Sequence, residues 1–365
     1  MRTSLDLIQS FGLARADDQF LVCGHATIDE LQLVHDPEYI AAVERLDLFG
    51  DAMEMAGEAA RWGLAPGGDS PAFVGMHSAS ALIAGGSLYA LGAILDGTIQ
   101  HAFNPAGGLH HAMRNRASGF CIYNDPAVAI AAALHRQDVR VLYLDFDAHH
   151  GDGVQAAFYS DPRVLTFSIH ETGRHLFPGT GFVDELGEGP GRGYSLNLPM
   201  EPFSEDASWL DCLERLLEPI AEWFRPDVIV SQHGCDSHAW DPLTHLRIST
   251  RAFSTQARMV HALSHRLADG RWLALGGGGY DWVRVVPRSW SIVWAEMSQQ
   301  HLPDEVPLAW RDRWAAEADQ NGFVPLAELV MDQTDAWRPT PRRAEIEHVN
   351  RAQADMLLSF VPNRR

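Results

Sequence analysis

The stretch Val141–Gly153, VLYLDFDAHHGDG, constrains the fold more than any other part of the chain. Val141 to Phe146 are β-branched, aliphatic and aromatic apart from Asp145, the pattern of a strand buried on both faces. The strand ends in a burst of ionisable groups: Asp145, Asp147, His149, His150 and Asp152. In extended backbone alternate side chains share a face, so Asp145, Asp147 and His149 point the same way. Two carboxylates and an imidazole at a buried strand end are too costly to desolvate unpaired, and a bound cation resolves that cost. An Asp- and Gly-rich helix-capping turn would account for the glycines but not for the density of charge.

The rest of the chain alternates strand, loop and helix around this segment. Short helices are expected over Ser4–Leu13, after the capping box Thr27-Ile-Asp-Glu30, and after Asp36-Pro37. Gly75–Leu95, rich in Ala, Gly and Ser and interrupted by His77 and Ser87, predicts a buried helix, and no apolar run is expected to cross a bilayer. Strands are predicted over Thr98–Phe103, Val164–Ile169, Tyr194–Leu198, Asp227–Ser231 and Trp272–Leu275. Between them come helices from the cap Asp125-Pro126 to His135, from Gly153 to Tyr159, and over Ser204–Phe224, Thr250–Leu267 and Val283–Met297. Such alternation predicts an α/β fold with a mostly parallel central sheet, helices on both faces, and a ligand site at the C-terminal strand ends. No repeat or low-complexity linker divides it, so residues 1–365 are expected to form one domain, with the motifs in 2–300 and the Pro-, Trp- and charge-rich tail of 300–365 packed on it.

A formal charge of −20 argues against a nucleic-acid surface and against attraction to anionic membranes, and suits a cationic substrate or partner. Cys23, Cys121, Cys212 and Cys235 form no CxxC pair, which favours a reducing compartment over a disulfide framework or a cysteine zinc site. With no signal-peptide pattern at the start, a cytoplasmic location is expected. Composition gives no oligomeric state.

The loops after the strands carry the chemistry. The first holds Gly107-Gly-Leu-His110-His111 and Ala117-Ser-Gly119-Phe120. Each adjacent imidazole needs a carboxylate to fix its tautomer and raise its basicity, and Asp145 and Asp152 are candidates that a metal does not require. The loop after Asp227–Ser231 holds Asp236 and Asp241-Pro242: Asp241 could complete a metal site, Asp236 could equally brace the loop, and His233, His238 and His245 are weaker candidates. Two aspartates and one histidine leave coordination positions open, as a catalytic metal requires; zinc ranks first and ferrous iron second. Gly276–Gly279 lacks the spacing and the lysine of a phosphate loop, and can instead bring backbone and Tyr280 close to a ligand.

Taken together, Gly-Leu-His-His, Ala-Ser-Gly-Phe-Cys, Asp-Phe-Asp-Ala-His-His-Gly-Asp-Gly, Phe-Pro-Gly-Thr-Gly, Asp236 with Asp241-Pro242, and Gly-Gly-Gly-Gly-Tyr strongly resemble the zinc-dependent histone deacetylase superfamily. Within it the chain looks most like the bacterial acetoin-utilisation deacetylases and the class I enzymes, from residue 2 to about 300. The resemblance implies the single-domain arginase/deacetylase-like fold and hydrolysis of N6-acetyl-lysine in proteins or peptides, with other short acyl groups also accepted. It makes Asp147, His149 and Asp241 the zinc ligands, His111 the general base and acid, and His110 its electrostatic partner. Asp145 and Asp152 orient His110 and His111, and Tyr280 hydrogen-bonds the substrate carbonyl. Phe120 and Phe177 wall an acyl-lysine tunnel with Gly119 at its side, and Asp69 grips the substrate backbone at the rim. A structural potassium ion is implied at Asp145, Asp147, His149, Ser168 and Ile169.

Family members open with a strand and a His-Pro-Glu-x-Pro-x-Arg segment. This chain begins Met1-Arg2, with Arg2 matching the last Arg, which lies near an interior channel. Asp281 stands where many relatives have Asn, with little chemical effect expected. Three rival readings remain. Ureohydrolases hold two manganese ions on D-x-H-x-D, but Asp147-Ala-His149-His-Gly-Asp152 puts the second Asp one residue late. A non-catalytic acyl-lysine binder is disfavoured by the complete set of reactive residues. An acetylpolyamine amidohydrolase keeps the chemistry on a small acetylated amine, yet Leu243, Leu246 and Ile248 give no sign of an acidic polyamine gate.

Overall fold

In the computed structural model, residues 1–365 are described except 16–19, 51, 323–325, 327–328, 332–339, 341 and 362–365. Parts of the tail read above therefore lie outside the described residues. In chain order the elements are α1 (Arg2–Ser10), α2 (Ile28–Leu31), α3 (Pro37–Asp47), α4 (Ala56–Arg61), α5 (Met76–Leu95), β1 (His101–Asn104), α6 (Asp125–Arg136), β2 (Val141–Asp145) and α7 (Asp152–Phe158). They continue with β3 (Val164–Glu171), β4 (Ser195–Met200), α8 (Asp206–Phe224), β5 (Val228–Gln232), α9 (Thr250–Leu267), β6 (Trp272–Leu275), α10 (Val286–Met297), α11 (Leu308–Gln320) and α12 (Arg343–Phe360).

The six strands form one parallel sheet in the order β1-β6-β5-β2-β3-β4. Strand β2 is buried at every position, as its apolar run predicts. Leu142 and Leu144 pack with Phe167, Trp209 and Leu216 on the side covered by α8 and α9. Val141 and Tyr143 pack with Ile94, Ile130 and Val154 on the side of α5, α6 and α7. The chain steps from β2 outward to β3 and β4, then returns to place β5 and β6 on the other side of β2. Loops leaving β2 and β5 thus diverge above their C-terminal ends, where an α/β sheet opens a crevice.

Local chemistry sets the element boundaries, with three corrections to the sequence reading. The capping box forms as expected: Glu30 N–H donates to Thr27 Oγ1 at 3.2 Å and Thr27 N–H to Glu30 Oε2 at 2.9 Å. Asp36 does not cap α3; its carboxylate accepts from Arg114 Nε at 2.6 Å, and Pro37 opens the helix without it. Nor does Asp125 cap α6. Asn124 does, accepting from Ala127 N–H at 3.0 Å, while Asp125 turns inward to the loop after β1. Helix α5 is long and apolar enough to span a bilayer by length and composition, contrary to expectation, but much of it is core. It packs on α6, and Ser87 donates to the buried Asp125 at 2.5 Å.

The four cysteines are unpaired. The C-terminal helices pack on the sheet-bearing part: Trp310 donates to the Thr3 carbonyl, and Asn350 to Ser204 and Ser208. The Arg2 side chain points to solvent rather than inward. It is exposed, lies over the Trp314 ring and pairs with Glu317, because α1 docks on α10 and α11 at the surface.

Candidate active site and metal centre

Four loops meet above the C-terminal ends of β1, β2, β5 and β6. The loop after β1 is anchored by Asp125, which accepts from Gly108 N–H at 3.1 Å and Leu109 N–H at 2.8 Å. Asn124 also donates to the carbonyls of His110 and Ala112, each at 3.1 Å. One helix start therefore fixes the backbone on both sides of the histidine pair.

Each histidine has a carboxylate of its own. His110 Nδ1 lies 2.8 Å from Asp145 Oδ2, and His111 Nδ1 lies 2.7 Å from Asp152 Oδ1. Their Nε2 atoms face each other at 3.0 Å. Burial opposes charge on both rings, but Asp145 and Asp147 overcome it at His110 and raise its pKa to about 9. At His111 burial and the neighbouring His110 win, and the pKa falls to about 4. The pair thus holds one charged and one neutral imidazole at pH 7, and the neutral ring is the one able to take a proton.

Next to the pair, Asp147 and His149 converge with Asp236. His149 Nδ1 is 3.1 Å from Asp147 Oδ1 and 2.9 Å from Asp236 Oδ2. Donor atoms of these three residues lie within 4.8 Å of one another. Asp241 sits alongside, with Oδ1 accepting from Leu243 N–H and Oδ2 from Tyr280 N–H, at 2.9 and 2.8 Å. Sequence reasoning left Asp236 and Asp241 open; the tightest group contains Asp236, and Asp241 completes its rim toward Tyr280.

The electrostatics fit a cation. Burial, reinforced by Asp147, raises Asp236 to about 6, and burial with Asp236 raises Asp241 to about 8. Burial opposes charge on His149, yet Asp236 and Asp147 hold its pKa near 11. Burial and mutual repulsion thus oppose charge on Asp236 and Asp241, a cost that a bound cation would relieve. An oxygen-rich set with a single imidazole suits a divalent ion with open positions.

The opening above the cluster is aromatic. The Phe177 ring centroid lies 5.0 Å from that of His111, edge on, and Phe120 lies 5.7 Å from Tyr280. Both phenylalanines are exposed although large and apolar. Gly119, with φ of +51°, passes directly under His111. Burial pushes the Tyr280 hydroxyl pKa well up, so it remains a donor. Asp69 is exposed on the 66–70 loop. Ser168 and Ile169 are buried on β3, with Ser168 in register with Asp145. The Ser168 hydroxyl is 2.8 Å from His170 Nδ1.

Two supporting residues escaped the sequence reading. Tyr143 donates to Asp145 Oδ2 at 2.7 Å, and Gln232 donates to Asp147 Oδ2 at 2.8 Å. Tyr143 stands two positions before Asp145 on the same strand face, a signal that periodicity offers but that reads equally as core.

Residues 2–297 match the Histone deacetylase domain. The chain belongs to the histone deacetylase family. It is 46% identical to the acetoin utilization protein AcuC of Bacillus subtilis (strain 168), over 89% of this chain and 82% of the relative. It is 40% identical to AcuC of Staphylococcus xylosus, over 92% and 85%. The crystal structure of an HDAC homologue from Aquifex aeolicus superposes with a TM-score of 0.83 at 30% identity, covering 96% of this chain and 92% of that one. An HDAC homologue complexed with SAHA gives 0.84 at 30% identity with the same coverage. The fold is the arginase/deacetylase-like α/β fold, and the family supports a deacetylase as the activity.

Proposed function

We propose that the protein hydrolyses the amide of N6-acetyl-lysine in proteins or peptides, releasing lysine and acetate. The observation that carries this reading is the pairing of a neutral, Asp152-backed His111 with the Asp147–His149 cluster beneath two exposed aromatic rings. Asp147, His149 and Asp241 would hold the metal, with Asp236 bracing His149 and the Ala148 backbone, to which it is bonded at 2.8 Å. Zinc is the first choice and ferrous iron the second. When bound, such an ion polarises an amide carbonyl and makes water acidic enough to attack it.

The chain's own groups supply the proton traffic. His111 takes a proton at Nε2, and Asp152 holds its Nδ1–H and stabilises the imidazolium that forms. The same ring returns a proton to the amine nitrogen as the carbon–nitrogen bond breaks. His110, kept charged by Asp145, limits how long His111 can hold that proton, since their Nε2 atoms are 3.0 Å apart. Tyr280 donates its hydroxyl to the oxyanion that develops only in the transition state. Phe120 and Phe177 admit a thin alkyl chain and exclude water, and Asp69 accepts backbone N–H bonds from the substrate at the rim. Potassium would sit by Asp145, Asp147, His149, Ser168 and Ile169 as a structural ion. A cytoplasmic location belongs to the same reading, supported by four unpaired cysteines.

The test compares kcat/KM for an N-acetyl-lysine peptide and N-acetylputrescine on zinc-loaded protein, with Tyr280→Phe beside the wild type. The peptide is expected to be preferred, and Tyr280→Phe to lower kcat by ~10²–10³-fold, the range for one oxyanion donor. Preference for the polyamine would keep the mechanism and replace the substrate. A folded, metal-loaded protein that turns over neither would refute the reading.

A further inference from the structure

A second convergence of imidazoles lies at the opposite end of the sheet. His101 opens β1, and His261 and His265 stand four residues apart on α9, so one helix face presents both. Their Nε2 atoms form a triangle: His101 to His261 at 3.1 Å, His101 to His265 at 3.2 Å, and His261 to His265 at 3.0 Å.

Hydrogen bonds cannot satisfy this triangle. Each Nε2 either carries a proton or presents a lone pair, and every contact needs one of each. Among three mutually touching atoms, two must be alike, so at least one edge sets proton against proton or lone pair against lone pair. A single cation receiving three lone pairs removes the conflict. Nitrogens bound to one tetrahedral zinc at 2.0–2.1 Å stand roughly 3.3 Å apart, close to the spacing found.

The surroundings support an ion rather than a chance contact. Trp272, wholly buried, fixes two of the rings: His261 stacks on it at 5.5 Å, and His101 meets it edge on at 5.8 Å. His265 falls in the last turn of α9, whose carbonyl ends favour positive charge. A surface depression of about 500 Å³, lined by Arg258, His261, His265, Glu296 and His301 among others, gives solvent access and leaves a fourth position open.

We propose that His101, His261 and His265 bind one zinc ion, or a divalent ion of similar ligand preference, as a clip between α9 and the β1 edge of the sheet. All-imidazole donors favour zinc, nickel or copper over magnesium or calcium. The site is separate from the catalytic centre, because β1 runs from His101 toward the loop bearing His110 and His111.

The experiment measures zinc per chain after equilibration with zinc and removal of free ion, in the wild type, His265→Gln and His261→Gln. The wild type is expected to retain two ions and each variant one, with deacetylation of the peptide unchanged. Added zinc should raise the unfolding midpoint of the active-site-loaded wild type and leave that of His265→Gln unmoved. His265 is exposed, so its variant carries the test even if His261→Gln fails to fold. One zinc in the wild type would overturn the proposal. So would a second zinc retained by His265→Gln, which would place that ion in the carboxylate cluster instead.

Discussion

Replacing Gly119 by alanine places a methyl group against the ring of His111. The added Cβ would lie 2.4 Å from His111 Cδ2, 2.7 Å from Cγ and 2.9 Å from Cβ. Relaxed carbon–carbon contacts are about 3.5–4.0 Å, so the ring or its loop must retreat by roughly 1 Å. The ring cannot retreat freely: Asp152 holds Nδ1 at 2.7 Å and Phe177 packs against it. A misplacement of ~1 Å in a proton-transferring group can cost ~10²-fold in rate. The backbone adds strain, since a φ of +51° costs an L residue about 1 kcal/mol. Gly119→Ala is therefore expected to lose about 100-fold in kcat for an acetyl-lysine peptide while keeping its metal and its fold. Stopped-time amine release gives the rate, with metal analysis and circular dichroism as controls. A folded, metal-loaded variant with kcat within about threefold of wild type would show that His111 tolerates displacement, and would refute the positional argument.

Two further substitutions separate neighbouring roles. Asp241→Asn should abolish retention of the active-site metal, whereas Asp236→Asn should keep it and lose stability instead; metal per chain distinguishes them, and the reverse pattern would make Asp236 the ligand. Tyr143→Phe removes a 2.7 Å bond to the buried carboxylate of Asp145 and should lower unfolding free energy by about 1.5–3 kcal/mol in urea titration. Unchanged stability would mean that His110 and the Asp147 backbone satisfy Asp145 without it.

The strand framework was legible because β2 is buried on both faces, which only a continuous apolar run permits. Its charged end announced a site for the same reason. Boundaries were less legible where a polar residue had two possible tasks. Asp125-Pro126 reads as a helix cap, yet Asn124 supplies the cap and Asp125 holds the loop before His110. Asp236 and Asp241 could not be ranked, because the contact that separates them, Asp236 on His149, joins residues 87 apart in sequence. His101 was a strand residue like any other until β1 met α9 in space.

The crowding of buried carboxylates also underlies the proposal that this site takes a metal ion. Asp145 and Asp152 each hydrogen-bond an imidazole, His110 and His111. Asp147 and Asp236 share His149, Asp147 also lies 3.9 Å from His110, and Asp241 has no imidazole bonded to it among the described residues. Their remaining contacts are neutral donors: Gln232 and Gly278 N–H for Asp147, Ala148 N–H for Asp236, and Leu243 and Tyr280 N–H for Asp241. Neutral N–H groups orient carboxylates but leave most of their charge in place. The three buried carboxylates therefore repel one another, which raises Asp236 and Asp241, while the bonds that hold them keep the arrangement rigid. Relief of that repulsion is what the proposed metal ion would supply.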